Sequence, residues 1–430
     1  MRMISTRGRA APVGASEAMV AGLAPDGGLY MPTALPRRSP EDFSGLSSLA
    51  SVAEKLLTPF FQDDPLAPSL PGICRAAFAV PPPLRAFGDG GDQMLELFHG
   101  PTAAFKDYGA AFLAGCLAAG PARTTPLTVL VATSGDTGAA VAAAFHRRPG
   151  FRVAILYPHG LVSPRQAHQL GCFGDNVHAF KVAGNFDDCQ RLVKAALADD
   201  ALRAQVPLTS ANSISLGRLL PQMAYYAQAS LAHWRSLRRP LSFIVPSGNL
   251  GNGLACLLAK RMGLPIDRLV LATNANQVLP EFFAGGEYRP RPAIPTLANA
   301  MDVGSPSNFE RLDWLYPDEQ ELRPALSAEA VSDRQIEQTI REVHGRLQRV
   351  LCPHTATAAH VLQRLRQRGE TGDWCVVATA HPAKFPDVVE PLVGGVVPLP
   401  PALEAMLARP AHAEPLAADE AALAAALRSL

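Results

Sequence analysis

Short apolar runs rich in β-branched residues alternate along this chain with longer segments whose apolar positions recur at helical spacing. Residues 127–133, Leu-Thr-Val-Leu-Val-Ala-Thr, form one such run, and a glycine-containing turn leads from it to a helical pattern over residues 139–146. Residues 151–157 read as the next strand. Further along, residues 241–245 predict a strand, 247–253 a loop and 254–262 a helix, with more strands at 269–273 and 374–378. Strands interleaved with helices of this length indicate α/β units around mostly parallel sheets. Such sheets place functional loops at the carboxyl ends of their strands.

Three stretches interrupt the pattern. Pro81-Pro-Pro83 closes an N-terminal segment, because consecutive prolines neither continue a helix nor donate to a central strand. Residues 289–295, Arg-Pro-Arg-Pro-Ala-Ile-Pro, predict a loop. After Pro398 the chain turns rich in Pro, Ala and Leu and ends in a predicted helix over residues 419–427. No repeat at solenoid or propeller periods is present.

Composition narrows the picture. At 430 residues, two or three domains are expected, and 48% hydrophobic with 18% charged residues describes a folded, soluble chain. Basic and acidic residues nearly cancel, 39 against 38, so no nucleic-acid or membrane partner is expected. A bound anion must then be held by local donors. The cysteines (Cys74, Cys116, Cys172, Cys189, Cys256, Cys352 and Cys375) stand singly, without a C-x-x-C pair. That spacing argues against disulfides and zinc and fits the reducing cytoplasm. The N-terminus lacks an apolar segment of secretory type, and no run approaches the ~18 apolar residues of a membrane span.

Two segments carry candidate chemistry. Ser247-Gly-Asn-Leu-Gly-Asn-Gly253 joins a strand to a helix, and its glycines are expected to adopt positive φ and admit close approach of a ligand. Unpaired N–H groups at the helix start then suit a phosphate. The order G-x-x-G-x-G is neither the dinucleotide fingerprint nor a P-loop, so a nucleotide is not indicated, and an ordinary tight turn remains open. The second segment, His99-Gly-Pro-Thr-Ala-Ala-Phe-Lys-Asp-Tyr108, places one lysine before an apolar helix over residues 109–117. A desolvated lysine is an amine nucleophile and base; an exposed one at a helix start is merely solvated. Thr133-Ser-Gly-Asp-Thr-Gly138 can grip a carboxylate, and Thr379 at a strand end can meet a ring nitrogen. Together with the phosphate loop, these suit an aldehyde cofactor with a phosphate tail.

The chain resembles the threonine synthase family, pyridoxal-phosphate enzymes of the tryptophan-synthase-β-like fold, type II, nearly end to end. The resemblance rests on Ser5-Thr-Arg-Gly8, Gly22-Leu-Ala-Pro-Asp-Gly-Gly-Leu-Tyr-Met-Pro32, the lysine and glycine loops, Asp302-Val-Gly-Ser-Pro-Ser-Asn-Phe-Glu-Arg311 and Ala378-Thr-Ala-His-Pro-Ala-Lys-Phe385. It implies a cofactor, pyridoxal 5'-phosphate, carried on Lys106 as an internal aldimine. Gly248, Asn249, Leu250, Gly251 and Asn252 would hold its phosphate, Thr379 would face the ring nitrogen, and Asp136 would lie near the phenolic oxygen. Thr102, Ser134 and Thr137 would hold the substrate carboxylate, and Arg218 the substrate phosphate. Lys181 and Arg311 are weaker candidates for that phosphate, and His99, His354 and His381 read more readily as ordinary loop histidines than as catalysts. The chain departs from the family at Ser215-Leu216 and at Cys352, where an acidic residue is usual.

The implied enzyme is a carbon–oxygen lyase acting on a phosphate ester, converting O-phospho-L-homoserine and water to L-threonine and phosphate. Lys106 would shuttle the protons. Alternatives are a phospho-lyase that releases a keto acid, or a non-catalytic anion-binding relative. The expected organisation is α/β: an N-terminal extension over residues 1–84, a smaller cofactor domain over 85–215 carrying Lys106, and a larger domain over 216–430 with the phosphate loop. The smaller domain would close over the site on binding. The expected assembly is a monomer or homodimer.

Overall fold

The computed structural model describes residues 1–88 and 90–430 of the chain. Two sheets organise it. The six-stranded sheet runs in the order Ser327–Ala330, Ile266–Thr273, Leu241–Pro246, Trp374–Ala378, Gln93–Glu96, Leu84–Ala86. All its pairings are parallel except the last hairpin. The five-stranded sheet, Glu414–Leu416, Val177–Val182, Phe151–Pro158, Leu127–Ala132, Leu208–Ser210, is parallel throughout.

The central strands are those the apolar runs predict. Every residue of Leu127–Ala132, Leu241–Pro246 and Trp374–Ala378 is buried, as expected for parallel strands covered by helices on both faces. Edge strands are more open: Leu84–Ala86 and Ser327–Ala330 carry no fully buried position. The predicted helix after the lysine begins earlier than expected, as Lys106–Ala118, with Lys106 its first residue.

The sheets redraw the expected domain boundaries. Gln93–Glu96, and Leu84–Ala86 from its second residue on, fall in the expected smaller domain but pair into the larger sheet, where Cys375 to Ala378 oppose Gln93 to Glu96. At the other end, Glu414–Leu416 returns to the smaller sheet beside Val177–Val182, and the helix Glu420–Ser429 packs on Phe186–Ala198. Asp419 caps that last helix, accepting from the Ala422 amide. Strand pairing joins segments far apart in sequence, so contiguous boundaries could not describe it.

The N-terminal segment forms a small antiparallel pair, Met3–Ser5 with Tyr30–Pro32, and helices that share the main core. Leu70–Ala77 packs against Lys106–Ala118 where Gly115 leaves room; a Cβ there would lie 2.9 Å from Ile73 Cγ2. Among the described residues, no helix is long and apolar enough to cross a membrane.

Arg311 locks this segment to the rest. Its guanidinium is fully buried and donates to the carbonyls of Tyr30 (3.2 Å), Ser213 (3.3 Å) and Ile214 (2.6 Å) and to Asn308 Oδ1 (2.6 Å). A buried acceptor left unpaired costs about 1–3 kcal/mol. Arg311→Leu orphans several at once, so a loss of at least about 3 kcal/mol is expected in urea unfolding; a change below about 1 kcal/mol would contradict this role.

Candidate active site

The carboxyl ends of Leu127–Ala132, Leu241–Pro246 and Trp374–Ala378 meet at a cleft between the sheets. It is lined by Lys106, Ser134, Asp136, Thr137, Arg218, residues 247–252, His354 and Thr379, among others. Two wider hollows, of about 770 and 1180 Å³, hold arginines that are already paired, such as Arg268 with Glu370 and Arg7 with Glu310. The chemistry gathers in the narrower cleft.

The phosphate loop works differently from expectation. Gly248, Gly251 and Gly253 do not take positive φ; the residue that does is Leu250, at φ 66°. Two of the glycines serve close approach instead. A Cβ on Gly248 would sit 2.8 Å from Met301 Cα, and one on Gly253 2.5 Å from Leu271 Cδ2. The helix begins at Gly251, earlier than predicted, with Leu250 before it in the left-handed region. That conformation is costly for a residue with a Cβ and is held by the apolar core around the Leu250 side chain.

Among the described residues, the amides of 248–253 make no hydrogen bond to protein. Helix geometry requires such unpaired donors, and they sit at the positive end of its dipole. Ser247 Oγ and Asn252 Nδ2 are buried in the same lining without partners. Asn252 is oriented by Tyr225 and Tyr226, whose hydroxyls donate to its Oδ1 at 2.5 and 2.8 Å. Asn249 instead braces the loop: its Nδ2 donates to Ser213 Oγ at 2.9 Å and its Oδ1 accepts from the Ser307 amide at 2.6 Å. This donor set fits a phosphate group held mainly by backbone.

Lys106 faces the cleft from the start of its helix. The preceding turn is pinned to the larger sheet's edge, where the Phe105 amide donates to the Thr379 carbonyl at 2.8 Å and the His381 amide to the Ala103 carbonyl at 3.0 Å. No hydrogen bond or ion pair within the protein engages the Lys106 amine among the described residues. Burial pushes it down to about 8; Asp136 opposes that shift, and Arg218 and Lys384 add to it. Near neutrality both its protonation states are therefore populated.

The turn at residues 133–138 is tied by Thr133, whose hydroxyl accepts from the Gly135 and Gly138 amides at 2.9 Å each. Ser134 and Thr137 line the cleft at the head of Asp136–Phe145, and among the described residues their hydroxyls have no protein partner, as a carboxylate site needs. Arg218 is buried. It donates through Nη1 to the Ala211 carbonyl at 2.6 Å, while its Nε has no partner. Burial lowers it to about 10, still a cation. Thr379 is buried in the lining beside the lysine turn.

Thr102, expected at the substrate carboxylate, does not line the cleft. Its hydroxyl donates to Asp107 Oδ1 at 2.5 Å and its amide to Oδ2 at 2.9 Å, so its donors are already taken. Lys181 lies on Val177–Val182, second from the edge of the smaller sheet, and Arg311 braces the N-terminal segment; neither lines the cleft. His99 bonds Glu96 at 2.8 Å, and His381 accepts from the Ala383 amide, both outside the cleft. His354 does line it. Its Nε2 accepts from the Ala300 amide at 3.0 Å, which leaves the proton on Nδ1, and burial lowers the ring to about 4. Cys352 caps the helix Pro353–Gln367, its sulfur accepting from the Thr355 amide.

Sequence reasoning missed Lys384 and Gln166. Lys384 lies in the run 378–385, where the sequence alone assigns it no role. Its ammonium is 0% exposed and lies 2.9 Å from Asp136 Oδ1, and Gln166 Nε2 donates to the same oxygen at 3.0 Å. A lysine in an apolar run at a strand end was the available signal; its partner lies elsewhere in the sequence. Gln166 carried none.

Comparison with known proteins agrees with this geometry. A family model described as pyridoxal-phosphate dependent enzyme matches residues 94–382. Models for the threonine synthase N terminus and C-terminal region match residues 2–78 and 355–427. A threonine synthase from Serratia marcescens is 40% identical over 405 residues, 94% of this chain and 93% of that protein. The crystal structure of threonine synthase from Escherichia coli superposes with a TM-score of 0.92 at 38% identity, covering 100% of both chains. The structure of pyridoxal-phosphate-bound threonine synthase from Brucella melitensis gives 0.89 at 35% identity, covering 100% of this chain and 99% of that one.

Gly248→Ala would drive a methyl into the Met301 backbone, so the loop must shift. Pyridoxal phosphate binding is expected to weaken at least about tenfold, roughly 1.4 kcal/mol, in an absorbance titration. An unchanged Kd would remove the close approach at Gly248 from the account of the cradle.

Proposed function

The chain belongs to the threonine synthase family of pyridoxal-phosphate-dependent enzymes, and we propose that its cleft acts on O-phospho-L-homoserine and water with Lys106 as the lysine joined to the cofactor. The activity is threonine synthesis, with phosphate as the second product. One observation carries the assignment of the site: a lysine amine without a hydrogen-bond or ion-pair partner among the described residues opens onto the same cleft as the unpaired amides of residues 248–252.

The residues fit the cofactor. Gly248, Asn249, Leu250, Gly251 and Asn252 would hold its phosphate, Thr379 would meet the ring nitrogen, and Asp136 would lie near the phenolic oxygen. When bound, pyridoxal phosphate supplies an aldehyde to join an amine and a ring that draws electrons from the substrate's α-carbon. Thr379 offers a neutral hydroxyl, which does not hold a ring nitrogen protonated as a carboxylate does.

The chain's own residues do the rest. Ser134, Thr137 and the unpaired amides around them bind the substrate carboxylate. Arg218 meets its phosphate, where a guanidinium can offer two donors to two oxygens. Lys106, uncharged, takes the proton from Cα. It then serves the proton transfers at Cβ and Cγ as the phosphate leaves, a duty suited to an amine titrating near working pH. His354 cannot activate the water that adds at Cβ, since its Nε2 already accepts and its Nδ1 holds the proton. The departing phosphate, kept beside Arg218, is the base at hand. The cysteines, all buried and unpaired, suit the cytoplasm's reducing conditions.

Incubation with pyridoxal phosphate and O-phospho-L-homoserine, with phosphate and threonine assayed together, is expected to release both in equal amounts. Phosphate with a keto acid and no threonine would contradict the hydration step. Lys106→Ala is expected to abolish turnover. Arg218→Met should raise KM at least about tenfold, about 1.4 kcal/mol, and an unchanged KM would take Arg218 out of the phosphate site.

A further inference from the structure

The Lys384 ammonium is buried completely, and its placement is costly unless compensated. It donates to the Thr102 carbonyl at 2.8 Å and pairs with Asp136 Oδ1 at 2.9 Å. Gln166 Nε2 reaches the same carboxylate oxygen, and Gln166 Oε1 accepts from Asn299 Nδ2 at 3.1 Å, bridging the two sides of the cleft. Asp136 is therefore held through one oxygen from behind. Among the described residues the protein's bonds to this carboxylate go to Oδ1, none to Oδ2, and the residue lines the cleft that Lys106 faces.

We propose that Lys384 is a positioning residue for the reaction: by claiming the Asp136 carboxylate, it keeps that carboxylate from forming a permanent ion pair with Lys106, so that the Lys106 amine stays free to react. The inference rests on the reading of Lys106 as the cofactor lysine. Two cations compete for one buried carboxylate, and geometry gives it to Lys384. Deprived of Lys384, Asp136 has one remaining ammonium to turn to, and a lysine bound as an ammonium is no nucleophile.

The charged groups facing Lys106 come from each element around it. They are Asp136 from Asp136–Phe145, Arg218 from Leu216–Leu219, Lys384 from Pro382–Lys384, and His354 from Pro353–Gln367, the last neutral at working pH. Removing Lys384 strengthens the pull of Asp136 and removes one repulsion, so both effects favour the Lys106 ammonium. Removing Asp136 alone does the reverse. An opposite charge within a few ångströms shifts a titration by about 1–3 units.

The test labels the full-length protein with pyridoxal phosphate and a hydride reductant, following the labelling rate against pH and locating the label by peptide mass. Wild type is expected to carry the label on Lys106, with a midpoint near 8. Lys384→Met should move the midpoint up by about one unit or more. Lys384→Arg, which keeps the pair, should stay near wild type, and Lys384→Met with Asp136→Asn should move back toward it. Should Lys384→Met fail to fold, Asp136→Asn alone is expected to lower the midpoint by about one unit. A wild-type label on another lysine would overturn the reading of Lys106 and this inference with it. A label on Lys106 with the same midpoint in Lys384→Met, or in Asp136→Asn, would overturn the inference alone.

Discussion

A helix that follows a parallel strand must start at the carboxyl edge of the sheet, with its first amides unpaired. In this chain that constraint acts three times around one cleft. Gly251–Arg261 follows Leu241–Pro246, Asp136–Phe145 follows Leu127–Ala132, and Lys106–Ala118 follows Gln93–Glu96. The first two present free amides to anions, and the third presents a lysine. The glycines of the phosphate loop let Met301 and Leu271 crowd against it, which closes the cradle from outside.

Charge explains why the cleft needs its ligands. Arg218 and Arg311 are buried with bonds to carbonyls and an amide oxygen rather than to a carboxylate. Among the described residues Lys106 has no hydrogen-bond or ion-pair partner, and Lys384 pairs with Asp136 at the cleft. A buried cation without a counter-ion is expensive. The geometry supplies local positive charge in a chain whose overall charge is +1, so phosphate groups and a carboxylate are drawn by the site and not by the surface.

How much of this the sequence carried depends on distance along the chain. The central strands were legible because each is a continuous apolar run, and the glycine loop, the lysine turn and residues 133–138 because each is a local motif at a strand end. What failed was what depends on partners. Leu250 adopts the left-handed conformation in a loop with three glycines, since tertiary packing overrides local preference there. Thr102 looked available until Asp107 took its hydroxyl. Lys384 bonds the Thr102 carbonyl across 282 positions, a pairing that no window of sequence displays. The return of Glu414–Leu416 to the smaller sheet has the same cause.

The account's central claim is that one cleft joins a reactive lysine, a backbone phosphate cradle and a second cationic site. A crystal structure with pyridoxal phosphate and a non-reactive phosphonate analogue of the substrate tests it most directly. The account predicts continuous density from Lys106 Nζ or the analogue's amine to the cofactor. It also predicts the cofactor phosphate on the amides of residues 248–252 and the phosphonate against Arg218. A cofactor phosphate bound elsewhere, or a phosphonate remote from Arg218, would contradict it.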